Sequence, residues 1–365
     1  MTDRKLDPFV QPLSGFRGRG AATRPDGRFE SMTREAFDDG WTQPERDAAP
    51  PTELIVDTAK SVIVESKSPD IPFERSINPY RGCEHGCSYC FARPTHSYLG
   101  FSPGIDFETR ILWKPDAPAV LKRELARHSY RCRPIALGIN TDGWQPVERK
   151  LGLTRKLLEV LCECRHPVSI VTKSALIERD LDLLADMARD DLVQVMFSVT
   201  TLDRTLARAM EPRAAAPERR LAAMRALHQA GVPVGVLFAP LIPALNDHEL
   251  EAVLHASQES GADTAGYVLL RLPHELKDLF PDWLERHVPG RAKHVLSVLR
   301  QMHDGALYDS RFGQRMRGNG VFADLYAARF LRASERLGLN RQRKPLNTLA
   351  FKPPRDNPAQ QDLFD

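Results

Sequence analysis

Residues 78–92 read NPYRGCEHGCSYCFA and place three cysteines, Cys83, Cys87 and Cys90, within eight positions. Thiolates this close together cannot all form disulfides with one another. Three soft sulfur ligands at the spacing C-x3-C-x2-C therefore indicate a metal or a metal cluster that is bound by one loop. This loop is the strongest chemical signal in the chain.

Two kinds of site agree with the triplet. In a structural zinc site, His85 or His96 would supply the fourth ligand, but such sites usually combine two separated ligand pairs. In a four-iron cluster, three thiolates leave one iron open to a ligand that does not come from the protein. A cluster used only for electron transfer would take a fourth cysteine, and the sequence places none near the triplet. The compact triplet therefore favours the open, catalytic arrangement.

The composition indicates a globular protein of a reducing compartment. The 365 residues, with a hydrophobic content of 42%, suffice for one large domain with extensions. Three of the six cysteines belong to the triplet and the others show no disulfide framework, so we expect a cytoplasmic protein. The sequence has no apolar run of signal-peptide or membrane-span length, and we expect no membrane partner. The net charge of +3 is too small to indicate nucleic-acid binding by itself.

Apolar runs of strand length alternate with helical patterns beyond the cysteine loop. The segment that ends near Tyr80 is the first predicted strand, and residues 53–65 predict a strand or hairpin before it. The later strands are predicted at residues 134–140, 168–172, 193–199, 232–238 and 264–270. The helices between them are predicted to begin at Asp116, Thr154, Asp180 and Pro217 and at a capping box formed by Asn246 and Glu249. About six strand–helix units predict an α/β fold with a partial parallel (βα)6 barrel.

The regions outside these units differ in composition. Residues 1–50 are rich in Gly, Pro, Arg and Asp and have few apolar anchors, which predicts a flexible N-terminal arm. The core domain is predicted to span residues 51–290, followed by a helical C-terminal region at 291–345 and an extended tail at 346–365.

Polar residues lie at the carboxyl ends of the predicted strands, where α/β folds place their chemistry. Thr141 follows the second strand, Lys173 follows the third, and Ser198 lies at the end of the fourth. Asp142 and Ser174 have a simpler interpretation as caps of the next helices. Lys173 is different, because a cation directly after a buried strand points into the mouth of the sheet. We therefore expect Lys173 to bind an anionic group.

The cysteine triplet, with the aromatic Tyr89 directly before its third member, resembles the signature of the radical S-adenosylmethionine (SAM) superfamily. Beyond it, the chain is similar to the spore photoproduct lyase-like branch of that superfamily. The likeness covers roughly residues 75–245. The matching stretches are IVTK at 170–173, MFSV at 196–199, EPR at 211–213, PERRL at 217–221 and VGVLFAP at 234–240.

The resemblance implies a [4Fe-4S] cluster on the three cysteines, with SAM chelating the fourth iron. Reduction would cleave SAM to methionine and a 5′-deoxyadenosyl radical, which abstracts a hydrogen atom from a substrate that the sequence does not identify. The implied electron donor is a protein such as reduced flavodoxin or ferredoxin. By position, Lys173 and Ser198 match the SAM contacts of the family, and Thr141 matches a third. Arg213 is expected to contact a carboxylate or the substrate.

One departure limits the resemblance. The lyase carries a cysteine near its second strand, which returns a hydrogen atom to the thymine radical. Residues 137–142 of this chain read LGINTD and contain no cysteine. The implied fold and cofactors therefore transfer to this chain, whereas repair of thymine dimers does not.

The alternative hypothesis is a nucleic-acid-binding module whose metal or iron–sulfur site is structural. Residues 311–365 contain 11 Lys or Arg against 5 Asp or Glu, a net charge of +6. A basic region of this kind can bind phosphates or can simply be a solvated surface. The six candidate phosphate contacts are Arg311, Arg315, Arg317, Arg341, Arg343 and Lys344. The two hypotheses are compatible, because a radical enzyme that acts on a nucleic acid needs such a surface.

Overall fold

The structure, a computed structural model, describes residues 18–30, 50–341 and 344–354. The strands of this part are β1 (Glu53–Val56), β2 (Val64–Glu65), β3 (Arg75–Ile77), β4 (Tyr80–Arg81), β5 (Arg110–Trp113), β6 (Ile135–Leu137), β7 (Val168–Thr172), β8 (Val193–Ser198), β9 (Val234–Leu241) and β10 (Thr264–Leu269).

The helices alternate with these strands along the chain. They are α1 (Asp106–Thr109), α2 (Ala117–Leu125), α3 (Glu148–Leu151), α4 (Leu153–Glu163), α5 (Leu181–Ala188), α6 (Arg204–Met210), α7 (Pro217–Gln229), α8 (Leu250–Glu259), α9 (Leu276–His287), α10 (Pro289–Gln301) and α11 (Gly320–Leu337). Short 3-10 helices lie at Arg93–Leu99, Ala175–Asp180 and Asp247–Glu249. No helix of the described residues is both long and apolar enough to cross a lipid bilayer.

The main sheet has seven strands in the order β10-β9-β8-β7-β6-β3-β2. The six strands from β10 to β3 are parallel, and β2 pairs antiparallel with β3 at one edge. The predicted α/β fold with a parallel sheet is therefore confirmed. The strand order does not return on itself, so the sheet is open. The carboxyl ends of all six parallel strands lie at the same end of the sheet, where the chain passes from β3 through β4 into the cysteine loop.

The expected strand or hairpin at residues 53–65 is wrong as a single element. β1 belongs to a separate three-stranded sheet in the order β1-β5-β4, whereas β2 joins the main sheet. Between β1 and β2, backbone N–H groups donate hydrogen bonds to a side chain and not to a partner strand. The Glu124 carboxylate accepts hydrogen bonds from Val62 N and Ile63 N, each at 3.1 Å, and from the Ser61 hydroxyl at 2.5 Å.

The predicted capping box of Asn246 and Glu249 does not form. Asn246 Oδ1 accepts from Ile242 N at 2.7 Å, and its amide nitrogen donates to Thr200 O at 2.7 Å. Glu249 accepts from the Thr201 hydroxyl and from Leu202 N, each at 2.6 Å. These two side chains therefore connect the loops after β8 and β9, because both loops expose backbone donors that have no partner of their own.

Asp180 also departs from its predicted role. It precedes α5 but accepts no hydrogen bond from that helix. It accepts instead from Trp144 Nε1 at 2.8 Å and from the guanidinium of Arg155 at 3.2 Å. The helix cap is Ser174, as expected for that residue, and it caps the 3-10 helix before α5 through Leu176 N. The buried Asp180 carboxylate therefore binds side chains that are distant in sequence and does not bind the adjacent helix.

The C-terminal region bridges the two edges of the open sheet. Leu269 N, at the end of β10, donates to Met316 O at 2.9 Å. One residue earlier in the C-terminal segment, Arg315 pairs with Asp70, which follows β2, and Gly313 N donates to the same carboxylate at 2.7 Å. The segment thus joins the β10 edge to the loop beyond the β2 edge. The predicted domain boundaries at 51, 290 and 345 stay predictions.

Residues 344–354 lie along the amino ends of the strands without forming a helix or strand. Lys352 N donates to Cys164 O at 2.8 Å, and the Phe351 ring packs on the His166 ring with their centroids 5.4 Å apart. The Nε2 atom of His166 lies 2.7 Å from the Tyr130 hydroxyl. Burial lowers the pKa of His166 to about 4. The neutral imidazole is therefore part of the packing that holds this segment.

We expect His166 to make the folded chain less stable in mild acid. An unfolded histidine binds a proton near pH 6.5, whereas folded His166 stays neutral down to a pKa of about 4. Its contribution is complete above pH 6.5 and is lost as the pH falls toward 4, about 2 kcal/mol of it by pH 5. The measurement is the free energy of urea unfolding at about pH 7.5 and about pH 5.

The variant His166→Gln should lose less stability between these pH values than the unaltered chain. His255→Gln is the matched control, because the His255 side chain is 58% exposed. It should retain the full pH dependence. An identical pH dependence in His166→Gln and in the unaltered chain would contradict the assignment.

Candidate functional site

The cysteine loop follows β4 and is held by three different parts of the chain. Cys83 N donates to Phe107 O at 2.9 Å, and Ser88 N donates to Met210 O at 2.9 Å. Glu84 N donates to the side-chain oxygen of Gln145 at 2.8 Å. Cys83 and the residues that directly follow Cys83 and Cys87 are therefore fixed by contacts with distant parts of the chain.

A buried ion pair between Arg93 and Glu108 also fixes the loop. Arg93 and Glu108 are 1% and 0% exposed, with the guanidinium Nη2 2.5 Å from Glu108 Oε1. The Nε atom of Arg93 donates to Cys87 O at 2.9 Å. Glu108 also accepts from Gly20 N at 2.9 Å and from Ala21 N at 2.7 Å. One carboxylate thus joins the N-terminal segment, the arginine and the loop.

The N-terminal segment at residues 18–30 lies against the cysteine loop. A Cβ atom on Gly20 would lie 1.7 Å from Gly86 O, so only glycine permits this approach. Arg19 adds a hydrogen bond from its guanidinium to Glu108 O at 2.9 Å. Part of the predicted flexible arm, residues 18–30, thus contacts the cysteine loop, while residues 1–17 and 31–49 lie outside the described residues. Sequence reasoning missed this contact because its partners are more than sixty residues away.

The three thiols line one cavity of about 1960 Å³ that begins at the carboxyl ends of the parallel strands and extends along the sheet to residues at their amino ends, among them Val193 and Lys344. Cys83 and Cys87 are buried, Cys90 is half-buried, and all three are free thiols. Burial raises the pKa of Cys87 to about 12. Burial and the charge of Asp142 raise the pKa of Cys83 well above its usual value. These neutral thiols become good ligands only when a metal supplies positive charge, because a coordinating thiol is deprotonated.

The arrangement fits a cluster better than a single ion. Within the described part of the chain, no three Cys, His, Asp or Glu side chains are arranged to hold one metal ion. A single zinc ion needs its sulfur ligands about 2.3 Å from one point. His96 Nε2 instead lies 3.0 Å from Arg110 O, and His85 Nδ1 lies 3.5 Å from Asp142 Oδ2. A four-iron cluster binds each thiolate through a different iron, so its cysteines can stand farther apart.

Lys173 lines the same cavity directly after β7. Its Nζ atom lies 5.8 Å from the centre of the Tyr89 ring. Burial would lower the pKa of Lys173, but the sulfur of Cys87, when deprotonated, and the Glu211 carboxylate raise it above its usual value, so the side chain stays cationic. Its backbone N donates to Asp142 Oδ2 at 2.7 Å, which fixes the start of the side chain. The position predicted for an anion contact is therefore a half-buried cation that shares a cavity with the thiols.

The predicted SAM contacts Ser198 and Thr141 have different surroundings. Ser198 lines the cavity, and its hydroxyl donates to Ala239 O at 3.1 Å. Thr141 is buried, and its hydroxyl donates to Tyr80 O at 2.8 Å. It is not among the described residues that line the cavity, whereas its neighbour Asn140 is. A role for Thr141 in binding SAM stays a prediction.

Arg213 lies on the other side of the cysteine loop. It lines a second cavity of about 450 Å³, and His85 of the loop borders both cavities. The Arg213 guanidinium lies 3.2 Å from Glu84 Oε1, and its backbone N donates to His85 O at 3.3 Å. The structure therefore brings Cys83, Cys87, Cys90, Lys173 and Ser198 to one cavity and places Arg213 at a neighbouring one.

A second buried ion pair supports the cavity wall and was not predicted. Glu211 and Arg220 are paired and are each 1% exposed. The Glu211 carboxylate also accepts from the Tyr89 hydroxyl and, at 2.7 Å, from that of Thr200. Arg220 donates to Ser198 O at 2.9 Å. The available signal was the position of Arg220 on the buried stripe of α7, since a charged residue there requires a partner.

Two of the basic C-terminal residues that were predicted as phosphate contacts have close carboxylate partners within the chain. Arg311 pairs with Asp309 at 2.5 Å, and Arg315 pairs with Asp70. Each of these contacts competes with a phosphate for the same guanidinium. Arg343 lies outside the described residues. Nucleic-acid binding by this region stays a prediction.

Comparison with other proteins agrees with the geometry of the loop. The Radical SAM superfamily profile matches residues 77–256. An uncharacterized protein of Mycobacterium tuberculosis is 38% identical over 233 residues, which cover 63% of this chain and 68% of that protein. An uncharacterized protein of Methanocaldococcus jannaschii is 27% identical over 197 residues, which cover 54% of this chain and 71% of that protein.

Solved structures share the fold at lower sequence identity. Spore photoproduct lyase in complex with dinucleoside spore photoproduct matches with a TM-score of 0.58 and 18% identity, over 78% of this chain and 80% of the lyase. A lyase variant with bound AdoMet (SAM) and the same dinucleoside matches equally well. At this identity, the likeness concerns the fold alone. Together with its cysteine loop, the matched profile and the related mycobacterial protein establish that the chain belongs to the radical SAM superfamily.

Proposed function

We propose that the chain is a radical SAM enzyme that binds a [4Fe-4S] cluster through Cys83, Cys87 and Cys90 and binds SAM beside it. The observation that carries this proposal is that three free thiols and the Lys173 cation face one cavity. When bound, the cluster supplies the electron that cleaves SAM to methionine and a 5′-deoxyadenosyl radical for hydrogen abstraction from a substrate. The six parallel strands around the cavity support a partial barrel as the scaffold.

Lys173 would hold the carboxylate of SAM. It follows β7 and lines the cavity of the thiols, and the charges around it keep it protonated. A half-buried cation that faces an open cavity gains from an anionic ligand, because desolvation otherwise destabilises its charge. Ser198 would orient the ribose side of the cofactor from the end of β8, with its oxygen as the acceptor, since its proton is donated to Ala239 O.

The size of the cavity supports a second ligand besides SAM. At about 1960 Å³ it exceeds the roughly 300–1000 Å³ of a usual small-molecule site. The wall away from the thiols is formed by half-buried residues of the inner strand faces, among them Ser169, Gln194 and Met196. We infer that the substrate binds in this part.

The lyase reaction itself is not part of the proposal. Apart from the three loop cysteines, no cysteine lies among the described residues that line the cavity. A thiol hydrogen donor like that of the lyase would have to come from elsewhere. Reduced flavodoxin or ferredoxin is the proposed electron donor, and a reducing cytoplasm is the proposed location, because all six cysteines are free thiols.

Anaerobic reconstitution should load about four iron and four sulfide per chain. With dithionite and SAM, the loaded chain should release 5′-deoxyadenosine and methionine, measured by liquid chromatography. Cys87→Ala should lose most of the iron and all of the 5′-deoxyadenosine, because one of three thiolate ligands is missing. Cys132→Ala is the matched control, since Cys132 is a half-buried thiol outside the loop.

Equal iron content and equal product in Cys87→Ala and in the unaltered chain would overturn the assignment of the cluster ligands. A loaded unaltered chain that releases no 5′-deoxyadenosine would overturn the enzyme proposal. Cys132→Ala should behave like the unaltered chain in both measurements.

Lys173→Gln should weaken SAM binding by about ten- to hundredfold, the usual effect of losing a hydrogen bond to a charged group. Its iron content should stay near that of the unaltered chain, because Lys173 is not a ligand. The measurement is equilibrium binding of SAM to the reconstituted protein. Lys173→Arg should restore part of the affinity, and full affinity in Lys173→Gln would remove Lys173 from the SAM site.

A further inference from the structure

The exposed aromatic side chains of the described residues are all accompanied by arginines. A guanidinium lies within about 5 Å of each ring centre, a separation at which the cation is attracted by the ring face. The rings, with their exposed fractions, are Phe29 (58%), Phe91 (37%), Tyr98 (69%) and Phe312 (60%). The arginine distances are 5.1 Å from Arg28 to Phe29 and to Tyr98, 4.8 Å from Arg271 to Phe91 and 4.7 Å from Arg315 to Phe312.

Two of these groups lie on one continuous edge beside the cysteine loop. Ser97 donates to Glu275 Oε1 at 3.2 Å, and Arg28 lies 3.3 Å from Glu275 Oε2. The loop after β10 therefore runs beside the segment that follows the third cysteine, with Arg271 on Phe91 at one end. We call the surface formed by Arg28, Phe29, Phe91, Tyr98 and Arg271 the aromatic rim.

The two exposed rings at the outer end of the aromatic rim form a stacking platform. The centroids of Phe29 and Tyr98 are 4.8 Å apart, with their planes inclined by 36°. Arg28 is held between these rings and Glu275, so the platform is fixed by an ion pair as well as by ring contact. Large rings held in place and exposed to water are suited to stacking against another flat ring.

Arg271 supplies an unused positive charge at the inner end. It lines the large cavity, and within the described residues it forms no ion pair. Its Nε atom is buried and has no hydrogen-bond acceptor there. The nearby Asp70 carboxylate is already engaged by Arg315 and by Gly313 N. A buried donor without an acceptor is costly, so this position favours an anionic ligand.

We propose that the aromatic rim binds unpaired nucleotides of a single-stranded nucleic acid, with bases on Phe29 and Tyr98 and a backbone phosphate on Arg271. Sites for single strands combine aromatic platforms with positive charge in this way. The bases of a duplex are stacked on each other and cannot reach such a platform. Since Phe91 and Arg271 also line the cavity of the thiols, a strand on the rim would present its next nucleotide to that cavity.

The test is binding of a fluorescent oligothymidylate of about 12 nucleotides, within the 4–16 nucleotides usual for such sites. The reconstituted protein is used at low salt, and binding is measured by anisotropy. The single strand should bind at least about tenfold more tightly than a duplex of the same length. The double variant Phe29→Ala/Tyr98→Ala should weaken single-strand binding by at least about tenfold, because two stacking surfaces are lost.

Arg271→Gln tests the phosphate contact separately. Removing one phosphate contact should reduce the slope of log K against log salt by about 0.7 for a single strand. Leu331→Ala and Arg332→Ala on α11 are the controls for an exposed apolar and an exposed basic residue. Both should bind the strand like the unaltered chain. Iron content and melting temperature show whether each variant is folded.

Several results would overturn the inference. They are no binding at low salt, equal or tighter binding of the duplex, unchanged binding by the double variant, and an equal loss in the Leu331 or Arg332 controls. The inference that the bound strand is also the substrate rests on the proposed function. The inference that the strand binds to the aromatic rim does not rest on it. If SAM is cleaved and the strand does not bind, this inference fails alone. If the strand binds and SAM is never cleaved, the proposed enzyme activity fails and the rim remains a binding surface.

Discussion

The buried carboxylate of Glu108 is the contact on which the cysteine loop depends. It neutralises Arg93, which in turn holds the Cys87 carbonyl, and it accepts two backbone hydrogens from the N-terminal segment. A charge with no exposure to water is tolerated only when every partner is present. The conformation of the loop is therefore determined by groups that are not ligands. The thiols themselves stay free to face the cavity.

The parts of the fold that the sequence predicted are those with a local cause. The strand predicted at residues 168–172 coincides with β7, and the helix predicted to begin at Pro217 is α7, because apolar runs and the proline that begins a helix act within a few residues. The cysteine spacing is equally local. Lys173 was recognisable because a cation directly after a buried strand has few directions in which to point.

The contacts that sequence reasoning missed all join distant parts of the chain. Asn246 has the residue type of a local cap, yet it holds the end of β8, since a backbone carbonyl there lacked a donor. Thr141, whose role as a SAM contact stays a prediction, also donates to the Tyr80 carbonyl, 61 residues away in the chain. Arg220 was the one long-range partner with a sequence signal, a charge on a buried helix stripe. The rim of arginines and rings had no signal, because its members come from separate segments of the chain.

The approach of Gly20 to the carbonyl of Gly86 has a consequence for maturation of the protein. Gly20 is synthesised 63 residues before Cys83, so the N-terminal segment is available to dock as soon as the loop folds. Once docked, it closes that side of the loop. If the chain binds the proposed cluster, iron and sulfide would then reach the loop through the cavity, by the route proposed for SAM and substrate. Ligands in the cavity would slow the loss of iron, so the proposed turnover conditions would themselves protect the protein from inactivation.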